Sequence, residues 1–221
     1  VRAFVDKELQ PLEVQAEMHI RVSFESFAKD YFVDVLLNRC VVIEVKTAEF
    51  LAAAHRGQTL NYLFLCGLHH GTLLNLRPER VQHEFVSTRL TPADRKHIHV
   101  VERGWKRVSP ECDLLRERLL ALLEEWGAFL DTTLYRDALT DFFGGVERVL
   151  KPVDVLSKDR VIGQQEMRLM ANDLAFSITS VTRNPQGMLE HQRRFLQHTR
   201  LRAIAWINLN HHDIEFCIVE R

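Results

Sequence analysis

The chain has 221 residues, 46% of them hydrophobic, with 29 Lys and Arg against 30 Asp and Glu. That length and apolar content can close a core in one large domain or two small ones; the balanced charge supplies no overall field for nucleic acid or an anionic membrane, so any phosphate-binding surface must be local. Cys40, Cys66, Cys112 and Cys217 lack the CxxC spacing of a zinc ribbon and fit a reducing compartment better than a disulfide framework. No apolar run reaches the ~18 residues of a membrane span, and "VRAFVDKELQ" lacks the pattern of a signal peptide. A cytoplasmic protein without membrane partners is the expectation. Because the chain opens on Val1 rather than Met, it is expected either to begin inside a longer gene product or to use a non-standard start codon.

Residues 2–9, "RAFVDKEL", read as the tail of a helix, and "EVQAEMHIRVSF" alternates polar and apolar like a half-buried strand. "YFVDVLLNRCVVIEVK", residues 31–46, follows as two strands. "EFLAAAHRGQTLNYLFLCGL" has helical spacing and ends near Gly67, and "GTLLNL" and "HEFVSTRL" read as further strands. From "SPECDLLRERLLALLEEWGAFL" the pattern turns helical again, with Ser109 as N-cap, Pro110 in the first turn and acidic residues beside it.

The second half repeats the order of the first. "YRDALTDFF" matches "VRAFVDKEL", and "HQRRFLQHTRLRAIAWINLNHHDIEFCIVER" resembles "RGQTLNYLFLCGLHHGTLLNLRPERVQHEFVSTR". Tyr135 over Val1 and Gln192 over Gln58 agree on an offset of 134. A duplicated domain is the expectation, with segments 1–103 and 104–221 meeting near Gly104; chance recurrence of a helix-strand pattern is the alternative.

Three charges interrupt the apolar hairpin. On a strand Glu44 and Lys46 share one face with Val42, and Val41, Ile43 and Val45 form an apolar face expected to pack on a core. A two-residue turn at Asn38-Arg39 would send Asp34 to the wrong side. An odd loop, Asn38-Arg39-Cys40, sets Asp34 across from Glu44 at ~5 Å, the geometry with which two carboxylates hold one divalent cation. Like charges so placed repel unless a cation or proton intervenes. Lys46 could then orient or deprotonate a water, or neutralise charge developing on a phosphate. Taken alone, an E-x-K strand is commonly just a solvated face or a surface ion pair. Gln58 adds a polar group near the start of the following helix, with Tyr62 one turn later; an ordinary exposed residue is its alternative reading.

"YFVD" at 31–34, "VIEVK" at 42–46 and "QTLNYL" at 58–63 resemble, in order, motifs of the PD-(D/E)XK nuclease superfamily, in particular its GxxExxY-type bacterial branch. The resemblance covers roughly residues 1–100 and implies an α/β fold, a small mixed sheet flanked by helices. It further implies Asp34 and Glu44 as ligands of Mg²⁺ or Mn²⁺, Lys46 as the catalytic lysine, Gln58 as a supporting active-site residue and DNA as the partner. Two features depart from the branch: Phe32 stands where an Arg is usual, and the helix that carries the branch's Glu would precede residue 1. "WGAFLDTTLYRDAL", residues 126–139, resembles that helix, with Tyr135 kept and Thr132 at the place of the Glu. "MANDLAFSITS" takes the place of the catalytic strand. At an offset of 134, Glu44 and Lys46 fall on Ile178 and Ser180 and Asp34 on Arg168; slipped by one residue they fall on Ser177, Thr179 and Met167. Neither register restores the site. The fold class expected is therefore two restriction-endonuclease-like units, the second degenerate and non-catalytic, packing on the first or helping to grip substrate.

His69-His70, His97-x-His99 and His211-His212 invite a metal reading, but neighbouring strand residues point to opposite faces, so loop or surface histidines are expected. The first and third pairs read as equivalent positions of the two copies. "RPER" and "TPADRKHIH" could touch phosphates near the site or be polar loops, and Arg193, Arg194, Arg200 and Arg202 could face nucleic acid or simply solvent. No Gly-rich phosphate loop, GxSxG or HExxH is present, which removes the commonest nucleotide-binding, serine hydrolase and zinc protease readings. The sequence supports a metal-dependent nuclease, with a non-catalytic nucleic-acid-binding or scaffold protein as the alternative; a homo-oligomer is compatible with either.

Overall fold

The computed structural model describes residues 12–221, so the helix tail expected at 2–9 lies outside the described residues. Two mixed sheets, each flanked by helix, make an α/β architecture. The chain forms two compact units: Asp30–Thr91 with the first strand through Val22, and Pro92–Arg221 with Ser23–Lys29. The two units thus divide at Thr91/Pro92. No helix among the described residues is long and apolar enough to cross a membrane.

The first sheet has strand order β1-β2-β3-β4-β5, from β1 (Val14–Phe24), β2 (Phe27–Leu37), β3 (Val41–Lys46), β4 (His70–Asn75) and β5 (Gln82–Ser87). β3 pairs antiparallel with β2 and parallel with β4, and β4 is antiparallel to β5. The parallel step needs a crossover, supplied by α1 (Ala53–Cys66). This helix starts where His55 Nδ1 accepts the Ala52 N–H at 3.1 Å. It ends at Gly67, whose φ of 65° lets the Leu68 N–H close back on the Leu63 carbonyl at 2.8 Å. Tyr62 and Leu63 pack with Val33, Leu36, Val42, Leu73 and Val86 as the unit's core. The helix lies close on β4: a Cβ on Gly71 would stand 3.1 Å from Thr59 Cγ2 and 3.2 Å from the Val42 carbonyl oxygen.

This packing reverses the expected faces of β3. Val42 and Glu44 are buried, whereas Val41, Ile43 and Val45 are only half-buried. The helix covers the face that carries the charges, because the crossover from β3 to β4 lays α1 there.

The second unit begins with α2 (Pro92–Lys96) and β6 (His99–Glu102). Although β6 precedes Gly104, it pairs parallel with the last strand of the second sheet. α3 (Pro110–Trp126) starts at Ser109 with Pro110 in its first turn, but the Ser109 side chain makes no capping hydrogen bond. α4 (Thr132–Phe142) is capped by Asp131, and α5 (Val146–Val149) leads into β7 (Leu150–Ser157). Then come β8 (Arg160–Ala171), β9 (Leu174–Thr179), α6 (Pro185–Gln197), β10 (Ala203–Asn210) and β11 (Asp213–Glu220), in sheet order β6-β11-β10-β9-β8-β7. Within this unit Phe24 and Phe27 contact Trp126, and Lys29 Nζ lies 2.7 Å from Asp137 Oδ2.

From β7 to β11 the topology of the first sheet recurs: β8 and β9 are antiparallel, β9 and β10 parallel around a crossover helix, β10 and β11 antiparallel. The register is specific. Leu174 pairs with Ala203 as Val41 does with His70, and Asn208 with Glu215 as Asn75 does with Gln82, a constant shift of 133. One buried device is shared as well. Asn75 Oδ1 accepts the Ala48 N–H at 3.1 Å while its Nδ2 donates to the Ala48 carbonyl at 2.8 Å and to Gln82 Oε1 at 3.2 Å. Asn208 does the same with Val181, at 2.7 and 2.8 Å, and with Glu215 Oε2 at 2.8 Å. In both sheets an amide thus stands in for a missing strand residue just past the end of the central strand.

Candidate active site

The candidate site lies wholly in the first unit, at the end of β3. Its register depends on the β2–β3 turn. Asn38 and Arg39 sit at φ 47° and 54°, the Cys40 N–H closes on the Leu37 carbonyl at 2.9 Å, and pairing resumes at Leu37 with Val41. The loop is therefore the odd, three-residue one. Asn38 is the residue type that tolerates this left-handed backbone, and it is pinned by its Oδ1, which accepts the Glu13 N–H at 2.9 Å.

The ladder runs Leu37–Val41, Leu36–Val42, Val35–Ile43, and its next step sets Asp34 opposite Glu44. There the side chain takes over from the backbone: Asp34 Oδ2 accepts the Val45 N–H at 2.7 Å. Glu44 is 1% exposed. Lys46, two residues along on the same face, places Nζ 2.6 Å from Glu44 Oε1. Glu44 Oε2 is buried without a hydrogen-bond partner among the described residues. Burial raises the pKa of this carboxyl above its ordinary value; Lys46 opposes the shift and the charge of Asp34 adds to it.

α1 brings in the fourth group. Gln58 Nε2 donates to the Tyr62 hydroxyl at 2.9 Å, so Gln58 is engaged by the next turn of its own helix. Burial raises the Tyr62 pKa, the Gln58 hydrogen bond lowers it, and Glu44, Lys46 and Asp34 all act on it, which ties Tyr62 electrostatically to the acidic pair. Sequence reasoning set Tyr62 on the Gln58 face but gave it no role; the i to i+4 spacing was the available signal. Asn75 was missed. Its bonds to Ala48, and that of the Leu76 N–H to the Lys46 carbonyl at 2.8 Å, hold the β3 exit against β4.

The donor set suits a hard divalent cation: oxygen ligands from two carboxylates, one with an unpartnered buried oxygen, resemble the way Mg²⁺ is held by one or two carboxylates while keeping waters and phosphate oxygens. Among the described residues no group of three or more His, Cys, Asp or Glu gathers as a metal cluster. His69, His97, His211 and His212 lie in loops or turns, and His70 and His99 each open a strand. His69 Nδ1 meets the Thr88 carbonyl and His212 Nδ1 the His97 carbonyl. His211-His212 forms the β10–β11 turn whereas His70 opens β4, so the two pairs are not equivalent positions. Within "RPER", Arg77 and Arg80 are exposed just beyond Asn75. In "TPADRKHIH", Arg95 is buried in the second unit and donates to the Ala128 carbonyl at 3.3 Å, which makes it structural. Arg193, Arg194, Arg200 and Arg202 are exposed, with Arg202 paired to Asp173.

At the shift of 133, Asp34, Glu44 and Lys46 correspond to Met167, Ser177 and Thr179. The offset of 134 and its assignment to Arg168, Ile178 and Ser180 are thus corrected by one residue. The helices follow a third count, His198 over Gly67 at their C-caps, so Gln192 does not stand over Gln58. The linkers between helix and strand differ in length, and no single offset survives them. Thr179 is committed elsewhere: its Oγ1 accepts the buried Trp206 indole N–H at 3.0 Å and bonds Asn208 Oδ1 at 2.9 Å.

Residues 4–88, the segment that holds Asp34, Glu44, Lys46 and Gln58, match the family model of the PD-(D/E)XK nuclease superfamily. No curated protein and no solved structure gave a match.

Proposed function

We propose that the first unit is a divalent-metal-dependent nuclease that hydrolyses phosphodiester bonds of DNA, with Asp34 and Glu44 as metal ligands, Lys46 as the catalytic cation and Gln58 in support. The observation that carries this reading is the buried Glu44, whose Oε2 has no partner among the described residues while Oε1 is held by Lys46 at 2.6 Å. A protein does not gain stability from such a group, since an unsatisfied buried carboxylate oxygen costs free energy; a ligand that needs an anionic oxygen gives it a use. DNA as substrate rests on the likeness of residues 4–88 to the nuclease superfamily.

Mg²⁺ or Mn²⁺ held there would neutralise a phosphate oxygen and lower the pKa of a water. The chain's own residues do the positioning. The Val45 N–H fixes one oxygen of Asp34 and leaves the other to face a ligand. Lys46, 19% exposed at its side chain, carries its ammonium from the buried Glu44 towards solvent, where it can balance charge that builds on the phosphate as water adds and the ester oxygen leaves. On the helix side Tyr62 interacts electrostatically with the pair, and Gln58 holds the Tyr62 hydroxyl.

One observation favours a second reading, a non-catalytic nucleic-acid-binding or scaffold protein: among the described residues no third acidic group joins the pair. Plasmid and single-stranded DNA incubated with Mg²⁺ or Mn²⁺ separate the two. Cleavage by the native chain that Lys46→Ala abolishes supports the nuclease. DNA binding without cleavage in either metal, also from a form extended upstream, supports the scaffold, and equal cleavage by both proteins marks a contaminant.

A further inference from the structure

We propose that the second unit receives a nucleobase in the cleft that stands where the first unit holds its acidic pair. The cleft has a volume of about 630 Å³ and is lined by Met167, Ser177 and Thr179, the counterparts of Asp34, Glu44 and Lys46, with Gln192, Phe195 and His191 supplied by α6. Its volume falls within the ~300–1,000 Å³ of small-molecule sites. No carboxylate, ammonium or guanidinium group lines it. A phosphate, an amine or a metal ion would therefore find no group of fixed opposite charge, His191 being the ionisable side chain of the lining.

The polar groups that remain have a definite demand. Gln192 is 6% exposed and its Oε1 has no hydrogen-bond partner among the described residues, so an amide with an unmet need is part of the cleft lining. Thr179 is already occupied by Trp206 and Asn208; beside Gln192 the polar lining consists of Ser177, His191 and the amides of Gln164 and Gln165, of which Gln164 donates to Asp154 at 2.9 Å. Phe195, Met167 and Met188 add one aromatic and two thioether surfaces beside them. An apolar lining that includes Phe195 and an unsatisfied amide fits a ligand that is aromatic on its faces and carries N–H donors and acceptors on its rim. A nucleobase has that chemistry, whereas an acyl chain would leave Gln192 unsatisfied.

The base could come from a free nucleoside or from an unpaired position in a strand. The test uses the whole chain in a chelator, so that it reads independently of any cleavage by the first unit. Two probes are titrated by fluorescence: 2-aminopurine deoxyriboside and a single-stranded oligonucleotide carrying one 2-aminopurine. Saturable binding is expected, weakened about ten-fold by Gln192→Leu, in line with one desolvated hydrogen bond, and abolished by Ser177→Trp, which fills the cleft. Phe195→Ala serves as a second variant, and circular dichroism confirms that each is folded. Binding of both probes, or of the nucleoside alone, assigns the site to free nucleosides; binding of the oligonucleotide alone, lost in Ser177→Trp, assigns it to an unpaired base. No saturation with either probe overturns the proposal, as does binding that folded Ser177→Trp and Gln192→Leu leave unchanged.

Discussion

Asn75→Ala tests whether one amide closes the exit of the central strand. Asn75 is fully buried and makes four hydrogen bonds: two with the Ala48 backbone at 3.1 and 2.8 Å, one with Gln82 at 3.2 Å and one from the Arg77 N–H at 3.3 Å. Each such bond contributes about 1 kcal/mol net, and the Ala48 N–H and carbonyl lose the only amide that reaches both, so truncation should cost about 2–4 kcal/mol. Urea unfolding followed by far-UV circular dichroism reads the loss as a shift in midpoint at unchanged slope. Asn208→Ala should cost more, because it also strips a donor from Glu215, a carboxylate only 2% exposed. Its effect can be read separately: Trp105, Trp126 and Trp206 all lie in the second unit, so tryptophan fluorescence reports that unit. A loss below about 0.5 kcal/mol for Asn75→Ala would refute the argument.

Further predictions concern the site and its support. Lys46→Ala should leave the circular dichroism spectrum unchanged while removing metal-dependent cleavage of DNA; retained cleavage would exclude Lys46 from the chemistry. Glu44 has a raised folded pKa, so without metal its contribution to stability is full below the ordinary value of 4.5 and is lost as pH rises through the raised value. Glu44→Gln should therefore gain stability relative to the native chain as pH increases across that window, measured as parallel Tm profiles with a chelator present; parallel curves at every pH would contradict the shift. Gly71→Ala should destabilise by about 1–3 kcal/mol, since the new methyl would meet Thr59 and the Val42 carbonyl at 3.1 and 3.2 Å. A neutral or stabilising change in urea unfolding would show that α1 can move off β4.

Much of this arrangement was legible because it is written in local periodicity. The strand-strand-strand-helix-strand-strand order and the end of α1 at Gly67 follow from short-range rules of alternation and backbone conformation, whereas the β2–β3 turn left two registers open and the structure selects the odd one at Asn38-Arg39-Cys40. The buried face of β3 was not legible. Apolar residues on Val41, Ile43 and Val45 argue for burial there, yet burial depends on where the crossover lays its helix, and that is a long-range outcome. The same limit applies to β6: its four residues pair with β11, more than 100 positions later, and nothing local in "HVVE" announces it. Asn75 and Asn208 escaped notice because an asparagine that replaces backbone pairing looks, in sequence, like any turn residue. Asp34, Glu44 and Lys46 were found because charges in an apolar strand need an explanation; Tyr62 was not assigned because a tyrosine in a helix needs none.

The hydrogen bond from Trp206 to Thr179 makes the second sheet a poor host for the carboxylate and lysine of the first. A lysine placed at position 179 would strand an indole N–H at 0% exposure and take a donor from Asn208, a penalty of about 1–3 kcal/mol before any ligand is bound. Trp206 sits directly across from Ser177 in the register, so a glutamate introduced there would have to share its space with the indole. Each single substitution thus meets a neighbour that has no room or partner for it. The two sheets share a topology yet are not interchangeable parts: a graft of the acidic pair into the second sheet would have to change the tryptophan first and the charges afterwards.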